Sequence, residues 1–185
     1  MNEKDRRVKR TKKLLKKSLA ELLLEKNIHS ITVRELTDRA DISRGAFYTH
    51  YEDIYDIFDQ LQRDLLEEIS ELMKEDPTHT YYETFDKLLD YVKDNASICR
   101  IFMCKGSDGY FRDQLMDLLE DRIMKIVLYE MEASETTENW TYLVRYNAAG
   151  LISVLSLWVE SDFKYPKERL YKLILDIDDR QDCLY

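Results

Sequence analysis

Residues 32–51 read T-V-R-E-L-T-D-R-A-D-I-S-R-G-A-F-Y-T-H-Y, and the fold turns on this stretch. Thr32 followed by Glu35 spells a capping box, in which hydroxyl and carboxylate satisfy orphan amides at a helix start. A short helix runs through Leu36 to Ala40, Asp41-Ile42 turns the chain, and Ser43 caps a second short helix through His50. Val33, Leu36, Ala40, Ile42 and Phe47 take the inward positions. Arg44, Gly45, Tyr48, Thr49 and His50 are left facing outward. Two short capped helices joined by a tight turn form a helix-turn-helix unit, whose second helix enters the DNA major groove while the first crosses the backbone. The outward side chains suit that role: hydroxyls and imidazole reach phosphate, and a guanidinium reads guanine edges.

Upstream, helical spacing of Val8, Leu15, Leu19 and Leu22 predicts a first helix over residues 5–26, with Leu14, Leu23 and Leu24 widening its stripe. Its first half is crowded with Lys4, Arg6, Arg7, Lys9, Arg10, Lys12, Lys13, Lys16 and Lys17. Cations at a helix N-terminus oppose the macrodipole, so they point to a use outside the fold; a frayed, solubilising start is the plainer alternative. Residues 1–50 hold thirteen Lys/Arg against seven Asp/Glu, and residues 51–185 hold fifteen against thirty. A basic head on an acidic body approaches polyanions head first, although mixed charge on exposed helices would look similar.

Downstream, a long helix from Glu52 carries Ile54, Ile57, Phe58, Leu61, Leu65, Ile69 and Leu72 on one face and stops before Pro77. Helices follow over residues 80–95, 96–105, 110–132 and 140–160, with loops at residues 106–109 and 134–139, and a last helix starts near Pro166. With only four glycines and two prolines, an all-β chain is excluded. The expected fold is all-α: a three-helix head at residues 1–51 and a larger helical body at residues 52–185, about nine helices in total. Residues 1–5 offer no apolar leader. The longest apolar run, Ala148 to Val159, is far shorter than the roughly twenty residues a membrane span requires. A soluble, cytoplasmic protein with no membrane partner is expected.

His29, His50 and His79 are scattered, and no phosphate loop, G-x-S-x-G or dinucleotide fingerprint is present. No catalytic residue, metal ligand or cofactor is therefore assigned. Cys99, Cys104 and Cys183 have no metal-type spacing and read as buried thiols, with a redox sensor as the alternative.

The runs V-R-E-L and A-D-I-S-R-G-A-F-Y-T-H-Y, placed after a basic helix, resemble the signature of the TetR/AcrR family of bacterial transcriptional regulators, covering about residues 10–58. The resemblance implies base contacts from Arg34, Arg44 and Gly45, and backbone contacts from Thr32, Tyr48, Thr49 and His50; Ser43 and Lys12 of the basic helix complete the DNA-facing set. It also implies a homodimeric repressor on a palindromic operator, released by an effector held in the body. Two departures stand out: Asp41 where the turn usually has Gly, and Ile54 where a phosphate-gripping Lys is usual, beside Glu52 and Asp53, two acids that would repel DNA.

In the body the resemblance is narrower, resting on Asn147-Ala148-Ala149-Gly150-Leu151 followed by Trp158. It implies a dimer seam built from the last two helices, through Ala149, Gly150, Ile152, Leu155, Trp158, Leu170 and Ile174. The stretch around Leu151 is apolar nearly all round, which a helix central to one chain would also explain. An effector pocket is expected among Phe85, Phe102, Met103, Met116 and Tyr146, with Tyr81, Tyr82 and Met124 nearby; these also read as ordinary core. Arg100 and Arg145 face either an acidic ligand or neighbouring carboxylates. A small molecule and a protein partner both remain open as the effector. The rival function is an interaction module acting through a protein partner with weak or no DNA binding.

Overall fold

The computed structural model describes residues 3–74, 81–104 and 109–181. Among these are nine α-helices, one 3-10 turn and no strand, which meets the all-helical expectation. Pro77, His79, the loop at 106–108 and Cys183 lie outside the described residues, as do the side chains of Lys4, Tyr81 and Tyr82. Packing divides the chain into residues 1–65 and 66–185. That division falls inside α4 (Ile54–Met73), whose buried face is continuous from Ile54 through Ile57, Leu61, Leu65 and Ile69.

In the first unit, α1 (Glu3–Glu25) packs on α2 (Val33–Ala40), and α2 on α3 (Arg44–Tyr48). Leu15, Leu19, Leu22, Leu36, Phe47 and Ile57 are fully buried and form the core, whereas Val8, Val33 and Ile42 are half-buried and Leu14 and Leu24 are exposed, so the α1 stripe is narrower than expected. Ion pairs fasten its rim. Arg39 forks onto Glu25 at 2.6 and 3.0 Å, and hydrogen bonding from that guanidinium holds the Glu25 carboxyl below its ordinary range. Lys26 takes Glu35 at 2.5 Å, and Lys16 pairs with Asp64.

In the second unit, α8 (Glu138–Glu160) packs against α5 (Tyr81–Asp94), α6 (Ala96–Met103) and α7 (Gly109–Glu130), while α9 (Lys167–Gln181) lies on α5. Thr137 accepts from the Trp140 amide at 3.2 Å, so α8 starts two residues ahead of the predicted Trp140. The helix is longer than its apolar run, and by length and composition alone it could cross a membrane. Its packing on three neighbours makes it the central helix of this unit. Ala148, Ile152, Leu155 and Val159 are each at most 1% exposed. Past its end, Asp162 and Phe163 take positive φ, and the Trp158 indole donates to the Tyr165 carbonyl at 2.7 Å.

Candidate nucleic-acid interface

Both caps read from the motif are made. Thr32 Oγ1 accepts from the Glu35 amide at 3.2 Å, and Ser43 Oγ accepts from the Ala46 amide at 3.2 Å. The reciprocal half of the capping box is not: the Glu35 carboxylate is spent on Lys26, which no local pattern could reveal. Asp41 sits at φ 53°, ψ 45°, the left-handed conformation usually left to glycine. The Ile42 amide donates to Thr37 O at 3.0 Å and the Asp41 amide to Asp38 O at 3.4 Å, so α2 ends in a Schellman turn without glycine.

This turn fixes α3 with Phe47 fully buried, its ring 5.3 Å from that of Tyr48 and 5.6 Å from that of Tyr51. Arg44, Gly45, Tyr48 and Thr49 are exposed, Tyr48 by 59%, and His50 is half-buried. Arg34 and Thr32 are exposed at the start of α2, and Arg34 lies 3.6 Å from Asp38. The predicted residues therefore gather at the two helix starts and the outward side of α3. The Thr49 hydroxyl donates to Gly45 O at 2.9 Å, leaving its lone pairs outward as acceptors. A Cβ at Gly45 would meet nothing within 4 Å, so packing inside the chain does not require glycine there.

Lys12 lies with Nζ 5.9 Å over the Tyr51 ring, which brings α1 to the end of the motif. Lys16, in contrast, is committed to Asp64 and largely shielded, so it is removed from the basic set expected to face outward. The Tyr51 hydroxyl is buried with no hydrogen-bond partner among the described residues, and burial pushes it up to about 12.

The start of α4 differs most from the sequence reading. Of the two acids expected to repel DNA, Asp53 turns onto the helix start, its Oδ1 accepting from the Tyr55 and Asp56 amides at 2.8 and 2.9 Å, while Glu52 stays exposed. Asp56 Oδ2 accepts in turn from the Glu52 amide at 3.0 Å. Asp53 thus caps the helix start, and Asp56 ties back the residue before the cap. Ile54 is 5% exposed and belongs to the core, while Tyr55 is exposed and its hydroxyl meets His29 Nδ1 at 3.0 Å.

In the second unit the expected site residues scatter. Phe102 is fully buried and stacks on Phe111 at 5.3 Å, so it is core. Met103 is buried and Met116 half-buried, while Tyr146 is 67% exposed and turns away from the interior. Phe85 lines a small space of about 20 Å³. Arg100 caps the end of α8, donating to Val159 O at 3.1 Å and Asp162 at 2.8 Å, and Arg145 meets Glu120 at 2.8 Å. Both arginines are thus tied to the chain's own acceptors. A further cation of this unit, Arg122, is 7% exposed. The signal for its burial was present, because it falls on the stripe of Leu115, Leu119 and Ile126, where an apolar residue is expected.

Of the seven residues expected at a dimer seam, Ile152, Leu155, Trp158, Leu170 and Ile174 are buried inside the single chain, Ala149 is half-buried, and only Gly150 is exposed. Burial governs the two described thiols: Cys99 is fully buried and pushed up to about 12, and Cys104 is raised, which suits structural thiols rather than a redox sensor.

Comparison with known proteins agrees with this geometry. Residues 17–61 match the family described as bacterial regulatory proteins, tetR family, and residues 79–177 match a transcriptional regulator C-terminal region of the same class. The uncharacterized HTH-type transcriptional regulator YxbF of Bacillus subtilis (strain 168) is 21% identical over 170 residues, which is 88% of this chain and 43% of that protein. The chain thus spans less than half the length of that relative. A TetR transcriptional regulator from Streptococcus agalactiae 2603V superposes with a TM-score of 0.68 at 24% identity, covering 94% of this chain and 96% of that one. A transcriptional regulator from Aquifex aeolicus VF5 does so at 0.74 and 17%, covering 95% and 99%. At these identities the superpositions speak for the fold. With a family match over more than half of its length and the helix-turn-helix in place, the chain belongs to the TetR family of bacterial transcriptional regulators.

Proposed function

We propose that the protein is a cytoplasmic, homodimeric repressor that reads a near-palindromic operator through α3 and lets go when an effector binds its C-terminal unit, with no catalytic step. The observation that carries this reading is the exposed Arg44–Gly45–Tyr48–Thr49 face on a helix held rigid by the Ser43 cap and buried Phe47. Gly45 strengthens it. A helical glycine costs roughly 0.5–1 kcal/mol against alanine, and here no neighbour in the chain demands one. Close approach of a phosphate or base edge accounts for it.

For the dimer, the supporting surface is the stripe Tyr142, Tyr146, Gly150, Ser153 and Leu157, exposed at helical spacing along α8. Leu173 and Ile177 on α9 are 44% and 43% exposed. Gly150 has open space over it, which suits a second backbone at close range. Two-fold pairing would place the recognition helices one duplex turn apart, roughly 34–36 Å.

A titration of the chain against duplexes from its own promoter region, beside random duplex at the same salt, tests the function. Saturable binding that prefers the promoter is expected; no shift at low salt would sink the regulator reading. The second reading, action mainly through a protein partner, draws on Ile54, which leaves the start of α4 without the usual phosphate-gripping lysine. It predicts equal, weak binding to both duplexes.

A further inference from the structure

We infer that the first three turns of α1 form a basic arm that grips the phosphate backbone of the duplex outside the bases read by α3, so that each head holds more DNA than it reads. This arm presupposes the DNA-binding function proposed above and adds to it a second, sequence-independent surface.

Five bases of the first unit, Lys16, Lys17, Lys26, Arg34 and Arg39, each meet a carboxylate of the chain. Five others at the start of α1 do not: Arg6, Arg7, Lys9, Arg10 and Lys13 are all exposed and, among the described residues, form no ion pair. Residues 5–13 hold six cations against one acid, Asp5. Spaced three or four apart on a helix, Arg6, Lys9, Arg10 and Lys13 share a face and repel one another, and each opposes the macrodipole. No described residue offsets that cost, whereas a polyanion outside the chain would.

The arm stands clear of the core and next to the motif. Leu15 is the first buried side chain of α1, and before it only Val8 and Thr11 are half-buried. Lys12 sits over the ring of Tyr51, the residue that closes the motif, so the rod of residues 3–11 starts beside the point where the helix-turn-helix stops. Residues 5–13 span about 12 Å at a rise of about 1.5 Å per residue. A duplex carries one negative charge per about 1.7 Å of axis, so that length faces roughly seven, close to the arm's six cations. Val8 is the one apolar side chain in residues 5–13, which leaves the arm no apolar face to lay in a membrane. Phosphate contacts carry no base information, so the sequence of the flank is immaterial.

The test uses the full chain and the palindrome it selects from random duplex, built in two lengths. The short duplex ends just outside the selected bases; the long one carries a further duplex turn on each side, in an A·T-rich and a G·C-rich version. Both long versions are expected to bind at least tenfold more tightly than the short one, and equally. Arg6→Gln, Arg7→Gln, Lys9→Gln and Arg10→Gln together should erase that gain, flatten the salt slope on the long duplex by about 0.9 for each phosphate let go, and leave the melting temperature unchanged. Arg6→Lys with Arg7→Lys and Arg10→Lys, which keeps the charge, should keep the gain. Equal affinity for short and long duplexes, a gain that survives in the glutamine variant, or a preference between the two flanks overturns the arm and leaves the regulator intact. Binding to phosphatidylglycerol vesicles that the glutamine variant loses, with no flank effect on DNA, overturns it in favour of a membrane surface. If no duplex is bound at low salt, the DNA-binding reading falls and the arm with it.

Discussion

At Arg44 the guanidinium is exposed and, among the described residues, engaged in no ion pair, whereas Arg34 lies within reach of Asp38. Arg44 thus carries no internal task. Replacing it by Ala is expected to leave the melting temperature unchanged and to cost about 1–3 kcal/mol at the operator, relaxing specificity at one base pair. Fluorescence anisotropy on operator and random duplexes decides it: an equal loss on both makes Arg44 a phosphate contact only. The caps at Thr32 and Ser43 were legible because their cues are local, a cap and its amide lying within three positions. Glu35 and Lys16 were not, since their partners, Lys26 and Asp64, lie nine and forty-eight positions away.

Among the elements, the turn between α2 and α3 aims the recognition helix, and it hangs on Asp41 at positive φ. Asp tolerates that region; a β-branched side chain does not. Asp41→Val is expected to cost about 1–2 kcal/mol, read as a lower thermal midpoint. An unchanged midpoint would mean the turn has a second conformation open to it. The basic face of α1 separates into two jobs. Lys12→Ala with Lys13→Ala, both exposed, should flatten the dependence of DNA affinity on log salt by about 0.9 for each phosphate that is no longer neutralised, and leave stability alone. Lys16→Ala should do the reverse, lowering stability through the stranded Asp64 while the salt slope holds. Salt slopes and melting curves on the two variants distinguish these outcomes.

For the whole molecule, the fold class and the helix count were legible because apolar residues recur at helical spacing from end to end. The faces of α8 were not. A helix apolar nearly all round can be covered by its own chain or by a second one, and periodicity alone does not say which. The structure assigns Ile152, Leu155 and Trp158 to the chain's own core and leaves Gly150 and Leu157 outside. On the homodimer proposed above, Leu157→Asp with Leu173→Asp is expected to give a folded monomer, half the mass by sedimentation, with operator affinity reduced at least tenfold. A dimer that persists in the double variant would move the seam elsewhere.

Because α4 belongs to both packing units, it also sets an engineering constraint. Grafting residues 1–65 onto another body means cutting inside a continuous helix, so the splice has a phase as well as a position. One residue inserted after Leu65 turns everything beyond it by about 100° and lengthens the rod by about 1.5 Å, whereas seven return the original face to within about 20°. Chimeras joined in whole heptads should keep the buried face of α4 on one side of the rod; those joined a residue out of phase should break that face at the splice and melt at a lower temperature.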